Sequence, residues 1–353
     1  MPQKRRKIDK VSSLEGKRRT RRGSGGVTLM HVAHLARVSP ITASRALNSP
    51  DKVSVDVLHR VREAVKRTGY VPNMLAGGLA SSRSRLVAAI VPTIAGSVFL
   101  DMVQSLTEEL NGAGYQVMLG QSGYDNSRED TLLDAIIGRR PDGIVITGVM
   151  HSPNARKRLI ASSIPVVETW DITTKPIDML VGFSHEEIGG AVARYLHERG
   201  YRRPALCTGD DDRAQRRAEA FVMTAKTLHG IPNVPIYWTS SPTNLKQGRQ
   251  GLSQLLEQRS DIDCIFCGSD LIALGVLIEA HARSIAVPER LAVIGFGSLS
   301  FAADLHPPLT SVSIDGKRIG EHAARVIMQR ARGEHVEHRI VDIGYSIVSR
   351  GTA

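Results

Sequence analysis

TLMHVAHLARVSPITASRALN, residues 28–48, carries two apolar helical patterns separated by one break. Leu29, Val32, Ala33, Leu35 and Ala36 recur at helical spacing and predict one buried face. Arg37 and Val38 interrupt that pattern. Ser39 followed by Pro40 is the signature of an N-cap with proline in the first turn, so a second helix is predicted to start there. Two short helices joined by so tight a turn form either a helical hairpin packed on a core or a helix-turn-helix. In the latter the second helix enters the major groove, with its first side chains at base edges and its hydroxyls and amides on phosphates. The side chains so placed are Pro40, Ile41, Thr42, Ser44 and Arg45.

Charge favours the DNA-binding reading. Residues 1–85 hold 19 Lys+Arg against 5 Asp+Glu, whereas the remaining residues hold 27 against 30. Phosphate neutralisation supplies most of a protein's attraction to DNA, so a basic head on a slightly acidic body fits that division of labour. Residues 1–26 carry ten Lys+Arg and two acids and end in Gly/Ser, which predicts a disordered basic tail. It is either a solvated charge run, an extension from an upstream start codon, or a source of extra nonspecific attraction to DNA.

The ordered motifs V-T-L-x-x-V-A (27–33), V-S-x-x-T-x-S-R-x-L-N (38–48), Val53-Ser54, G-Y-x-P-N (69–73) and A-x-x-L (76–79) resemble the lactose-repressor/galactose-repressor (LacI/GalR) family of transcription regulators. The resemblance implies that Thr28, Ser39, Thr42, Ser44 and Asn48 hold DNA and that Pro40, Ile41 and Arg45 face bases. The family's turn glycine is Arg37 here, a substitution that costs roughly 1 kcal/mol in a left-handed position. Pro40 and Ile41 offer no donors, so base reading falls to Arg45, which can pair bidentately with guanine.

A third helix is expected at 55–68, completing a helix-turn-helix domain over 27–72. Residues 73–85 then correspond to the family's hinge helix and linker. Asn73 and Ala76 are DNA contacts by resemblance, and Leu79 is the apolar lever that opens a minor-groove step. Gly77 and Gly78 lower helix propensity there by about 1 kcal/mol each, as a plain flexible linker would also have it.

From Leu86 onward, short apolar runs such as LVAAIVP, DGIVITG, RPALCTG and LAVIGFG alternate with amphipathic helical stretches. This is the pattern of α/β architecture with parallel strands covered on both faces. Eight or more such units exceed one ordinary sheet. The expectation is a periplasmic-binding-protein-like body, 86–353, of two doubly wound parallel-sheet lobes. Lobe one is placed at about 86–183 plus 315–332, and lobe two at about 184–309 plus the C-terminal strands.

A cleft ligand is expected at the carboxyl ends of those strands. The residues there are Ser97, Phe99, Glu168, Trp170, Asp171, Arg213, Arg217, Ser269, Asp270 and Phe296. By resemblance, Arg217 is the arginine that grips sugar hydroxyls or a carboxylate. Many relatives carry Asp-Asp where Gly297-Ser298 stands, so this cleft is more positive and calls for an anionic effector. SPITASRALN, VPTIAGSVF, PVVETWD and VGFSH resemble the gluconate-operon repressor subgroup, which implies a sugar acid, gluconate or a ketogluconate first and a phosphorylated sugar acid next.

Other classes find little support. The chain lacks G-x-x-x-x-G-K-[ST], a G-x-G-x-x-G after a strand, G-x-S-x-G and H-E-x-x-H, so no catalytic residues, cofactor or metal are expected. Asp210, Asp211 and Asp212 follow a strand and precede a helix, where capping competes with metal binding. Cys264 and Cys267 form a C-x-x-C without partners at zinc spacing, and with Cys207 they read as structural. With no membrane-length apolar run and no signal-peptide core, the protein is expected in the cytoplasm. No apolar heptads follow the last strand, so no coiled-coil tetramerisation tail is expected. The alternative is a sugar-binding or enzymatic α/β module with an incidental basic head.

Overall fold

The computed structural model describes residues 27–71, 84–95 and 98–353. The chain divides into two compact units between Ser82 and Arg83. The first is a three-helix head: α1 (Leu29–Ala36), α2 (Pro40–Asn48) and α3 (Val55–Thr68). Ser39 Oγ accepts from Thr42 N at 3.1 Å, the N-cap that its position before Pro40 requires. Ser54 caps α3 in the same way, and Gly69 closes that helix at φ 64°. Val32, Ala33, Ala36, Ala43, Ala46, Val61 and Ala64 form the head's buried core. Leu35 corrects the expected apolar face, since it is exposed. At 3.6 residues per turn it lies roughly 110° from the centre of the Leu29, Val32, Ala33 and Ala36 stripe.

The body holds two six-stranded sheets. The first runs β2 (Gln116–Gln121), β1 (Leu86–Val91), β3 (Gly143–Thr147), β4 (Val166–Thr169), β5 (Met179–Gly182), β11 (Ile340–Asp342), all parallel. The second runs β7 (Ile236–Thr239), β6 (Pro204–Gly209), β8 (Cys264–Cys267), β9 (Ala292–Gly297), β10 (Thr310–Ser313), β12 (Ser346–Val348), with only β12 antiparallel. Strands such as β3 and β6 are buried along their whole length, as both faces of a doubly wound sheet must be.

Helices α4 (Leu100–Gly112) and α11 (Gly316–Ala331) pack together on one face of the first sheet. Their close approach rests on Gly320, where a Cβ would meet Ser105 Oγ at 2.1 Å and Met102 O at 2.4 Å. Helices α5 (Asn126–Ile137) and α6 (Pro153–Ser162) cover the other face through Leu133, Ile136 and Leu159. On the second sheet, α7 (His185–Glu198) pairs with α8 (Asp212–His229), and α9 (Leu245–Gln258) with α10 (Asp270–Ala282).

The two C-terminal strands were both expected in lobe two, and the structure divides them. β11 extends the first sheet beside β5, and β12 extends the second beside β10. Strands of only three residues, Ile-Val-Asp and Ser-Ile-Val, carry no mark of which sheet edge they will join, because that choice is made by the nonlocal partner. Cys207, Cys264 and Cys267 are buried free thiols inside the second sheet, and burial pushes the Cys207 thiol up to about 12.

Candidate functional site

The carboxyl ends of both sheets face one cleft. Its deep part, a cavity of about 90 Å³ that opens to solvent, is lined by Phe99, Trp170, Arg213, Arg217, Ser269 and Phe296 of the expected set. Ser97 lies outside the described residues.

Arg217 lies on α8 and is 6% exposed. Its Nη1 donates to His185 Nδ1 at 2.9 Å, its Nη2 donates to Gly268 O at 3.2 Å, and its guanidinium covers the Phe296 ring at 4.0 Å. Its Nε is buried without a partner, and no carboxylate lies within ion-pair distance of it among the described residues. Burial lowers its pKa to about 10. Asp211 acts on this guanidinium only from beyond ion-pair distance, so a ligand carboxylate that reaches it directly is strongly favoured. Arg213 adds a second cation, 5.8 Å from the Phe99 ring and 3.7 Å from Asp211.

His185 joins the two sheets. Burial first, then the charges of Arg217 and Arg213, hold its pKa well below the usual imidazole range. The neutral ring therefore accepts from Arg217 through Nδ1 and donates through Nε2 to Trp170 O at 3.0 Å. Around it Phe99, Trp170, Phe183, His185 and Phe296 stand ring to ring, with successive centroids 5.1, 5.6, 4.9 and 6.3 Å apart. Trp170 sits at φ 62°, a left-handed strain of the kind that gathers at binding sites. The chain leaves room for it only because residue 182 is glycine: a Cβ there would stand 1.8 Å from Asp171 O.

Three expected cleft residues play other parts. Glu168 is fully buried in the first lobe, accepting from Ile177 N at 2.6 Å and lying 3.5 Å from His151 Nε2, so it does not line the cleft. Asp270 is also fully buried, accepting from Ser311 Oγ and Leu299 N at 2.6 Å each. It holds the loop after β9, while neighbouring Ser269 caps α10 from the cleft wall. Asp171 is paired with Arg216 across the lobes and borders a second, outer compartment. Asp211, the centre of the acidic run, caps α8.

Sequence reading passed over Tyr124, Ser241, Thr243 and His151. The first three line the deep part, and His151 lines the outer compartment with Tyr124. Burial pulls the His151 pKa down, but hydrogen bonds and charges from Glu129 and Glu168 outweigh it and raise the value to about 9. A histidine four residues beyond β3 carries no local sign of two distant glutamates.

In the head, Ser39, Pro40, Ile41, Arg45 and Asn48 are exposed along α2, and Ser44 Oγ accepts from Asn48 Nδ2 at 3.2 Å. Thr28 Oγ1 lies 3.1 Å from His31 Nδ1, and Thr42 Oγ1 lies 2.9 Å from Ser39 Oγ. Arg37 adopts φ 55°, the left-handed turn expected of it, and Arg60 Nη1 donates to Ala36 O at 3.0 Å to satisfy the end of α1. Asn73, Ala76 and Leu79 lie outside the described residues. Among the described residues no group of three His, Cys, Asp or Glu side chains could hold a metal, and no helix is long and apolar enough to cross a membrane.

A helix-turn-helix head followed by a two-sheet body with an arginine-bearing cleft defines a class: DNA-binding regulators with a small-molecule-binding body. Residues 28–73 match the bacterial regulatory proteins of the lacI family, and residues 193–353 match a periplasmic binding protein-like domain. The HTH-type transcriptional regulator GntR of Pseudomonas aeruginosa is 33% identical over 331 residues, covering 93% of this chain and 96% of that protein. A LacI family regulator of Silicibacter pomeroyi superposes with a TM-score of 0.87 at 32% identity, over 92% of this chain and 99% of that one. The transcription regulator GntR of Chromobacterium violaceum gives 0.73 at 34% identity, over 76% of this chain and 98% of that one. This chain belongs to the lacI family and is a DNA-binding transcriptional regulator. Its relatives are regulators and not enzymes.

Proposed function

We propose that the protein is a cytoplasmic homodimeric repressor that binds a near-palindromic operator and releases or grips it according to a sugar acid, gluconate or a ketogluconate, held in the inter-lobe cleft. The observation that carries the effector class is Arg217, buried, unpaired with any described carboxylate, and backed by Arg213. The resemblance to gluconate-operon repressors and the similarity to regulators named GntR support the same class. Ser241, Thr243 and Ser269 supply hydroxyls for a polyol chain, and Phe99 and Trp170 supply an apolar wall.

Exposed apolar side chains support a dimer: Ile94, Leu100 and Leu119 on lobe one, and a groove lined by Leu274, Leu277, Ile278 and Leu305 on lobe two. Two heads then read half-sites about one helical turn apart. Thr28, Ser39, Thr42, Ser44, Asn48, Asn73 and Ala76 hold the DNA, Pro40, Ile41 and Arg45 face bases, and Leu79 levers the minor groove. A ligand that prefers one lobe orientation alters operator affinity only by its differential binding to the two states, and a tenfold change needs about 1.4 kcal/mol.

Calorimetric titration with gluconate, 2-ketogluconate, glucose and ribose tests the effector. Acid binding with no glucose binding is expected, and preference for a neutral sugar would remove the assignment. Operator bending measured with Leu79→Ala tests the lever, which undiminished bending would rule out.

A further inference from the structure

The outer compartment has the opposite charge to the deep one. The wall between them is Tyr124, Asp211 and Arg213, which line both. Beyond it, Glu129 is taken by His151 and Asp171 by Arg216. Asp125, Asp210 and Asp212 line the same space and have no ion-pair partner among the described residues. Asp125 comes from the first lobe and the other two from the second, so both lobes contribute carboxylates to this space.

Acidity alone would define no site, but Thr147 supplies a second observation. It ends β3, lines this compartment, is 6% exposed, and its Oγ1 is buried with no partner. A buried hydroxyl without a partner in a polar space is completed by a ligand atom. Asp125 and Asp210 accept backbone hydrogen bonds, from Ser127 N and Ser241 N, so among the described residues the wider cleft is polarised: a guanidinium without an ion-paired carboxylate at one end, carboxylates without ion-paired cations and an unpartnered hydroxyl at the other.

We propose that the acid-lined compartment is a distal specificity filter, which accepts the uncharged hydroxyl end of a monoanionic sugar acid and rejects a second anionic group at that end. This rests on the sugar-acid reading of the deep pocket and narrows it to aldonates and ketoaldonates, excluding aldarates and terminally phosphorylated acids. Hydroxyls donate to carboxylates, whereas a distal carboxylate or phosphate meets like charge in a cleft whose walls focus the field.

The test is titration of the full-length protein with gluconate, glucarate and 6-phosphogluconate at low salt and at about 0.5 M salt, where screening extends over only a few ångström. Gluconate should bind at least about tenfold more tightly than either dianion at low salt, and the gap should narrow at high salt. It should narrow likewise in the double variant Asp125→Asn/Asp212→Asn, in which asparagine retains the cap of α5 that Asp125 provides. Circular dichroism and effector-free operator binding report whether that variant is folded. Dianions binding as well as gluconate, or a gap that responds to neither salt nor substitution, would overturn the filter and leave the sugar-acid reading intact. Failure of all three acids to bind would overturn both.

Discussion

Arg217 Nη1 donates to His185 Nδ1 at 2.9 Å, and the same imidazole donates from Nε2 to the carbonyl of Trp170 in the other lobe. The cation of the deep pocket is thus tied, through one neutral ring, to the first lobe's binding loop. An anion that draws on the guanidinium acts directly on a contact between the lobes, which is the linkage an effector needs.

Arg217→Lys tests that linkage. Lysine keeps a positive charge but lacks the planar fork that reaches His185, Gly268 O and a ligand together. Sugar-acid affinity measured by calorimetry should fall by about tenfold to a hundredfold, in keeping with the loss of charge-assisted hydrogen bonds worth about 1.5–3 kcal/mol. Operator binding without effector should persist. Full effector response in the variant would show that the fork is not used.

His151 makes stability depend on pH. Its side chain is 2% exposed between Glu129 and Glu168, and its folded pKa is raised from 6.5 to about 9. The contribution, on the order of 3 kcal/mol, is therefore fully present below about pH 6.5 and is lost as pH rises to about 9. Urea denaturation should find the wild type more stable than His151→Gln at pH 6, with the difference shrinking steadily toward pH 9.5. A difference that grows with pH would contradict the assignment.

Arg37→Gly should stabilise the head. The wild-type residue holds φ 55°, where a side chain costs up to about 1 kcal/mol more than glycine. Hydrogen exchange at Val32 and Val61 amides in the full chain should slow in the variant. Faster exchange there would mean that Arg37 makes a compensating interaction.

Gly182→Ala should destabilise the body by about 1–3 kcal/mol, because its methyl group would collide with the Asp171 carbonyl that Trp170's loop presents. Urea midpoints of the two proteins provide the comparison. An unchanged midpoint would require that loop to move freely, and the strained Trp170 conformation would then have no steric cause.

The head and the sheet units were legible because their signals are local. Ser39 before Pro40, Ser54 before Val55 and Gly69 after Thr68 mark helix ends by chemistry that acts within three or four residues. Leu35 was misread because a five-residue apolar count ignores the angle at which each side chain leaves the helix. In the cleft, Arg213, Arg217, Phe99, Trp170, Ser269 and Phe296 were legible from their places at strand ends, the general location of ligand sites in such folds.

Amino-acid order alone therefore determined the helix-turn-helix, the alternation of strands and helices, the charge asymmetry and the arginines available to an anion. Contacts between distant parts of the chain turn Glu168 and Asp270 inward to hold loops, bring Tyr124 and His151 to the cleft, and part β11 and β12 to different sheets. The reason is physical. Caps and periodicity depend on neighbours along the chain, whereas a buried carboxylate or an edge strand takes its role from whichever distant group satisfies its hydrogen bonds.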